Sequence, residues 1–125
     1  MNELMSKSIL IVDDSQAIVD LVSEALNSEG YDVSSASNGK EALNQLKEGC
    51  VDLIISDIYM PVMDGIELIQ AVRKLNHCQY TPILILTTED DYDMKMKGKN
   101  AGATGWLVKP IVSEQLLNTV SRVFS

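Results

Sequence analysis

Four apolar runs along the chain each stop at a polar residue. Ile9-Leu10-Ile11-Val12 runs into Asp13-Asp14, and Asp52-Leu53-Ile54-Ile55-Ser56 runs into Asp57. Ile83-Leu84-Ile85-Leu86 runs into Thr87, and Trp106-Leu107-Val108 into Lys109-Pro110. Unbroken Ile, Val and Leu without polar alternation marks strands buried on both faces, as in parallel sheets. Amphipathic helical patterns fill the intervals. After the first run, Ser15 caps a helix whose apolar positions Ile18, Leu21, Val22, Ala25 and Leu26 recur at helical spacing, and Gly30 ends it. A second strand over residues 31–36 passes through Ser37-Asn38-Gly39 into a helix with Ala42, Leu43 and Leu46, ended by Gly49. The loop 59–65 precedes a helix carrying Ile66, Leu68, Ile69, Val72 and Leu75. A fifth strand covers 104–108, and Ser113 opens a last helix with Leu116, Leu117, Val120 and Val123. The segment after Thr87 is the poorest helix: Tyr92, Met94 and Met96 make a thin stripe, and Gly98 lowers propensity.

Strand and helix thus alternate five times with no linker, repeat or low-complexity stretch between them. Right-handed crossovers turn that alternation into a three-layer α/β/α sandwich. A single domain over 1–125 is expected, with its core over about 8–124 and no output domain.

Ligands of open parallel sheets bind at the carboxyl ends of the strands. Three carboxylates, a hydroxyl and an ammonium therefore gather on one edge. Asp13 or Asp14 alone reads equally well as the cap of the following helix. With Asp57 ending a neighbouring strand, the cluster must take up protons or bind a cation, because close carboxylates repel. All-oxygen donors without histidine in these loops suit Mg²⁺. Asp57 is then either a metal ligand alone or also a nucleophile forming an acyl phosphate. Phosphoryl transfer needs positioning and neutralisation of the phosphoryl oxygens. Mg²⁺, the Thr87 hydroxyl and Lys109 can each serve one oxygen. Lys109-Pro110 is a candidate cis peptide, since X-Pro bonds have a reduced trans preference.

Composition narrows the partners. A chain of 125 residues can bury roughly two-thirds of its unfolded surface. A net charge of -8 argues against a nucleic-acid surface. Lys95, Lys97 and Lys99 read as a solvated helix face, and His77 as a surface residue. No membrane span or targeting segment is visible. Cys50 and Cys78 lack metal or redox spacing and are expected to be free thiols, in keeping with a cytoplasmic protein.

Taken together, Asp13-Asp14, Asp57 followed by Met60-Pro61 and Asp64-Gly65, Thr87, and Lys109-Pro110 resemble the response-regulator receiver domain in order and spacing, over nearly the whole chain. The resemblance implies a flavodoxin-like (CheY-like) fold with strand order 2-1-3-4-5. It also implies that Asp57 accepts a phosphoryl group from a histidine kinase. Asp13, Asp14, Asp57 and the backbone carbonyl of Tyr59 would hold Mg²⁺, and Thr87 and Lys109 would bind the phosphoryl group. Leu86-Thr87-Thr88-Glu89, Gly98-Lys99-Asn100-Ala101-Gly102-Ala103 and Gly105-Trp106-Leu107-Val108-Lys109-Pro110 are most similar to stand-alone CheY-like chemotaxis regulators.

By that likeness Thr87 and Trp106 are the switch pair, although Trp106 stands where many receivers carry Tyr or Phe. The implied partners are a CheA-like kinase and a flagellar motor switch protein or a phosphatase, with the chain as a monomer. It would catalyse only its own phosphorylation and dephosphorylation. The alternatives are a phosphate sink or a non-motility regulator, then a small-molecule phosphatase or a binding module that is never phosphorylated.

Overall fold

The computed structural model describes residues 6–88 and 90–125. Five strands, β1 (Ser8–Val12), β2 (Asp32–Ala36), β3 (Leu53–Asp57), β4 (Ile83–Thr88) and β5 (Gly105–Lys109), form one sheet in the order 2-1-3-4-5. Every neighbouring pair is parallel, with Val12 opposite Ser56 and Asp57 opposite Leu86. Five helices connect them: α1 (Gln16–Asn27), α2 (Gly39–Glu48), α3 (Gly65–Arg73), α4 (Tyr92–Ala101) and α5 (Ser113–Val123). A short 3-10 turn, Asn76–Cys78, lies between α3 and β4.

Successive side chains of a strand face opposite sides, and the core splits accordingly. Leu10, Val12, Ile54, Ile83 and Ile85 pack with Ala42 and Leu46 of α2 and with Leu68, Ile69 and Val72 of α3. Ile9, Ile11, Leu53, Ile55, Leu84, Leu86 and Leu107 pack on the other side with Val19, Val22 and Leu26 of α1 and with Leu116 and Val120 of α5. A fully buried Leu or Ile contributes about 1.5–3 kcal/mol, so these two layers fix the strand ends in place. The edge strand β2 is mostly exposed and polar, and only Ala36 is buried.

Caps set where the helices start. Ser15 accepts from the Ile18 N–H, and Asn38 from the Glu41 N–H. Asp64 and Glu67 form a reciprocal capping box on α3. Gly65 is required there: its N–H donates to the Ile58 carbonyl at 2.8 Å, and any Cβ would run into the backbone carbonyl of Asp57. The α3 start is thus pressed against the end of β3. As its thin stripe suggested, α4 buries only Gly98 fully.

The cysteines depart from expectation. Cys50 and Cys78 are joined as a disulfide, with Cα atoms 5.7 Å apart, rather than being free thiols. Cys50 sits just before β3 and Cys78 just before β4, so the pairing of these parallel strands brings them to the same edge, opposite the acidic cluster. Lys95 also departs from a simple solvated face, lying 5.6 Å over the Trp106 ring. His77 is exposed as expected, with Nε2 2.7 Å from the Leu46 carbonyl.

Candidate functional site

Asp13 and Asp57 sit at the carboxyl ends of the adjacent strands β1 and β3, and Asp14 follows at the rim. Carboxylate oxygens from the three lie within 4.8 Å of one another. Asp13 is only 2% exposed and Asp57 is buried, while Asp14 is open to water. The backbone N–H of Ser15 donates to Asp13 Oδ1 at 2.9 Å. Asp13 Oδ2 is buried and accepts no hydrogen bond. Burial pushes the Asp13 carboxyl above its ordinary value of 3.8; the Ser15 N–H lowers it, the charge on Asp57 raises it, and Lys109 and Asp14 act in smaller, opposite senses.

Asp57 Oδ1 accepts two hydrogen bonds, from the Ile58 N–H at 2.9 Å and from Lys109 Nζ at 3.1 Å. Lys109 Nζ also stands 4.0 Å from Asp13 Oδ2. The ammonium, at the end of β5, reaches across β4 to balance the pair of buried carboxylates. Among the described residues no donor meets Asp57 Oδ2. The Lys109–Pro110 peptide is cis.

Thr87, buried on β4, is one position beyond the partner of Asp57 in the sheet register. Its hydroxyl donates to the Thr88 carbonyl at a long 3.4 Å and makes no described contact with Asp57. Trp106 lies apart from the cluster, on β5 beside Lys95 of α4, and is 42% exposed. Tyr59, two residues past Asp57, turns its ring outward, and its hydroxyl donates to Asp91 at 2.7 Å. That hydrogen bond to a carboxylate raises the Tyr59 phenol above its ordinary value of 10.0. Nothing in the local sequence pattern signalled this bond, which joins residues 32 positions apart.

The cluster suits a small hard dication. All donors are oxygens, and the buried, unpartnered Asp13 Oδ2 is an acceptor that the protein itself leaves unserved. Asp13, Asp14 and Asp57 are the side chains that would hold Mg²⁺.

A family profile for the response regulator receiver domain matches residues 9–121. The chain belongs to that family. Among solved structures, the receiver is similar to the chemotaxis response regulator CheY4 of Vibrio cholerae, with 48% identity and a TM-score of 0.91, covering 95% of this chain and 99% of that one. It is also similar to the receiver domain of a sensor histidine kinase from Pseudomonas aeruginosa, solved with a magnesium ion coordinated in its active site cleft. That match has 26% identity and a TM-score of 0.88, and covers 96% and 99% of the two chains. The alkaline phosphatase synthesis transcriptional regulatory protein PhoP of Bacillus subtilis is 41% identical over 106 residues, which is 85% of this receiver and 43% of PhoP. The receiver spans about half the length of the curated relatives it matches. Receiver domains act in two-component systems, interact with histidine kinases and bind Mg²⁺ at an acidic site. Among the described residues, no helix is long and apolar enough to cross a membrane.

Proposed function

We propose that this receiver is a phosphorylation-activated switch in which Asp57 takes a phosphoryl group from the phosphohistidine of a CheA-like kinase. The carrying observation is Asp57 itself: buried, with Oδ1 held by Ile58 N–H and Lys109 and Oδ2 without a described donor. Holding one oxygen fixes the other for attack, since phosphoryl transfer depends mainly on alignment and charge neutralisation. The Oδ2–phosphorus bond forms as the phosphorus–nitrogen bond breaks, and the electron pair leaves on the imidazole, which takes a proton. Lys109 remains close enough to pair with a phosphoryl oxygen, and the Thr87 hydroxyl leaves its long contact with Thr88 to donate to another. Asp13, Asp14, Asp57 and the Tyr59 carbonyl would hold Mg²⁺, which would supply Lewis-acid neutralisation of the phosphoryl oxygens. Hydrolysis of the acyl phosphate resets the switch, so the chain catalyses only its own phosphorylation and dephosphorylation.

Output runs through the surface around Trp106, and the setting is cytoplasmic chemotaxis. The match to Vibrio cholerae CheY4 supports that setting because it extends over nearly the full length of both chains. The similarity to PhoP favours a second reading, a receiver in the service of transcription. Intact mass after incubation with acetyl phosphate tests the acceptor. One phosphoryl group should be gained with Mg²⁺, none in EDTA, and none in Asp57→Asn. Labelling that persists in that variant would sink the assignment. Capture on the receiver held with beryllofluoride separates the two settings: a flagellar motor protein supports chemotaxis, and a transcription component the other.

A further inference from the structure

The two carboxylate oxygens of Asp91 serve different neighbours. Oδ1 accepts the Met94 N–H and caps α4. Oδ2 accepts the Tyr59 hydroxyl, so a residue two positions past the acceptor is tied to the head of α4. Tyr59 is 63% exposed, and packing does not account for where its ring lies; the bond does. The N-terminal half of α4 has no buried residue, and Met94 is only partly covered by the core. Its position therefore depends on polar contacts that water can replace.

We propose that Tyr59 is a positioning residue: with Asp91 it forms a latch that holds the start of α4 in its resting register, and phosphorylation of Asp57 releases it. The inference rests on the reading of Asp57 as acceptor. Phosphorylation replaces the single charge of the Asp57 carboxylate with an acyl phosphate of about two charges, a net gain of roughly one negative charge, and the latch holds a second carboxylate on the loop that follows β4. Repulsion between them opposes the bond, and an exposed hydrogen bond is weak enough to yield. This route to α4 is separate from Thr87 and Trp106, because it leaves the site through the loop after β3 rather than through β4 and β5.

Tyr59→Phe removes only the hydroxyl. Asp91→Ser keeps an N-cap but shortens the side chain away from Tyr59. Hydrogen exchange of the first-turn amides of α4 is read in the full chain, before and after acetyl phosphate with Mg²⁺. In the parent, phosphorylation should accelerate exchange. In either variant, resting exchange should already be about fivefold faster, the upper range for an exposed contact to a charged group, and phosphorylation should add less than twofold. The double variant should match the singles, since both remove one contact. Resting exchange in Tyr59→Phe within twofold of the parent overturns the latch, and so does an undiminished response to phosphorylation in that variant. The resting comparison needs no phosphoryl group, so its failure is that of the latch alone. Absence of a mass gain in the parent is instead a failure of the acceptor reading.

Discussion

Replacing Asp13 by Asn should stabilise the metal-free protein and weaken its response to Mg²⁺. Asp13 is nearly fully buried, and its Oδ2 faces Lys109 at 4.0 Å without a hydrogen bond. Leaving a buried acceptor unserved costs about 1–3 kcal/mol, and here Asp57 adds repulsion while Lys109 offsets part of it. Asparagine keeps an oxygen for the Ser15 N–H and removes the charge. A gain of about 1–2 kcal/mol is expected at pH 7.5 in EDTA. In a chain of this length each kcal/mol moves Tm by about 4 °C, so the variant should melt roughly 4–8 °C higher.

The pH dependence carries a sign that a packing effect would not. The folded-state pKa of Asp13 lies above its ordinary 3.8, so between the two values the folded protein binds more protons than the unfolded chain. The contribution of this group is most favourable below 3.8 and is lost as pH rises through the raised folded value. The gap between variant and parent should therefore be small near pH 4, open as the pH rises, and then stay constant. Mg²⁺ reverses the order: at 100 times its Kd a ligand adds about 2.7 kcal/mol, which the parent gains and the variant gains only in part. Thermal melts across pH, with EDTA and with Mg²⁺, measure all three effects. A metal-free variant no more stable than the parent at pH 7.5 would refute the electrostatic reasoning, as would a gap that is already full at pH 4.

Val62, 75% exposed, has φ 70° in a turn closed by the Met63 N–H on the Pro61 carbonyl, so Val62→Gly should gain about 1 kcal/mol in urea melts; a loss would show that the backbone there is unstrained. The Cys50–Cys78 bridge spans 28 positions, for which loop closure contributes about 3–4 kcal/mol; reduction should lower Tm by roughly 12–16 °C in the parent and leave Cys50→Ser insensitive to reductant. Phosphorylation should alter Trp106 emission and acrylamide quenching, and Thr87→Ala should keep the mass gain while losing the optical change; unchanged spectra on verified phosphorylation exclude Trp106 as the moving part.

What was legible in the sequence was whatever local pattern controls. The buried runs mark four of the five strands because parallel strands covered on both sides carry no polar alternation. Residues at their carboxyl ends must share an edge, and this drew Asp13, Asp14, Asp57, Thr87 and Lys109 into one reading. Strand order did not follow from the residues and came through resemblance. The same edge argument, applied to the opposite ends of β3 and β4, brings Cys50 and Cys78 together, and spacing rules for cysteine motifs obscured it. Contacts of α4 and its cap were beyond reach for a different reason. Tyr59 with Asp91, and Lys95 with Trp106, depend on how far α4 slides along the sheet, which the thin stripe of that helix does not specify.

That indeterminacy has a functional side. Besides its packing on the sheet, α4 has three notable contacts among the described residues: the Tyr59–Asp91 bond at its start, Lys95 over Trp106 in its middle, and Arg73 donating to the Gly102 carbonyl at its end. Arg73 also donates to the Thr81 carbonyl at 2.7 Å, so the end of α4 is tied to the segment leading into β4 and is the firmest of the three. Burial lowers the Arg73 pKa, but a guanidinium stays charged, and hydrogen bonds from a charged donor are the stronger kind. The start rests on an exposed contact. A Cβ on Gly98 would lie 2.7 Å from Ile85 Cδ1, so the helix rides closely on β4, two residues before Thr87 on the same face. Moving the start of α4 thus exchanges a few weak contacts for water, while the anchored end acts as the pivot. Reversing a two-state population from 1:99 to 99:1 takes about 5.5 kcal/mol. A helix held at its start by deep apolar burial would place that beyond one phosphoryl group, whereas one held there by an exposed tyrosine hydroxyl leaves it within range.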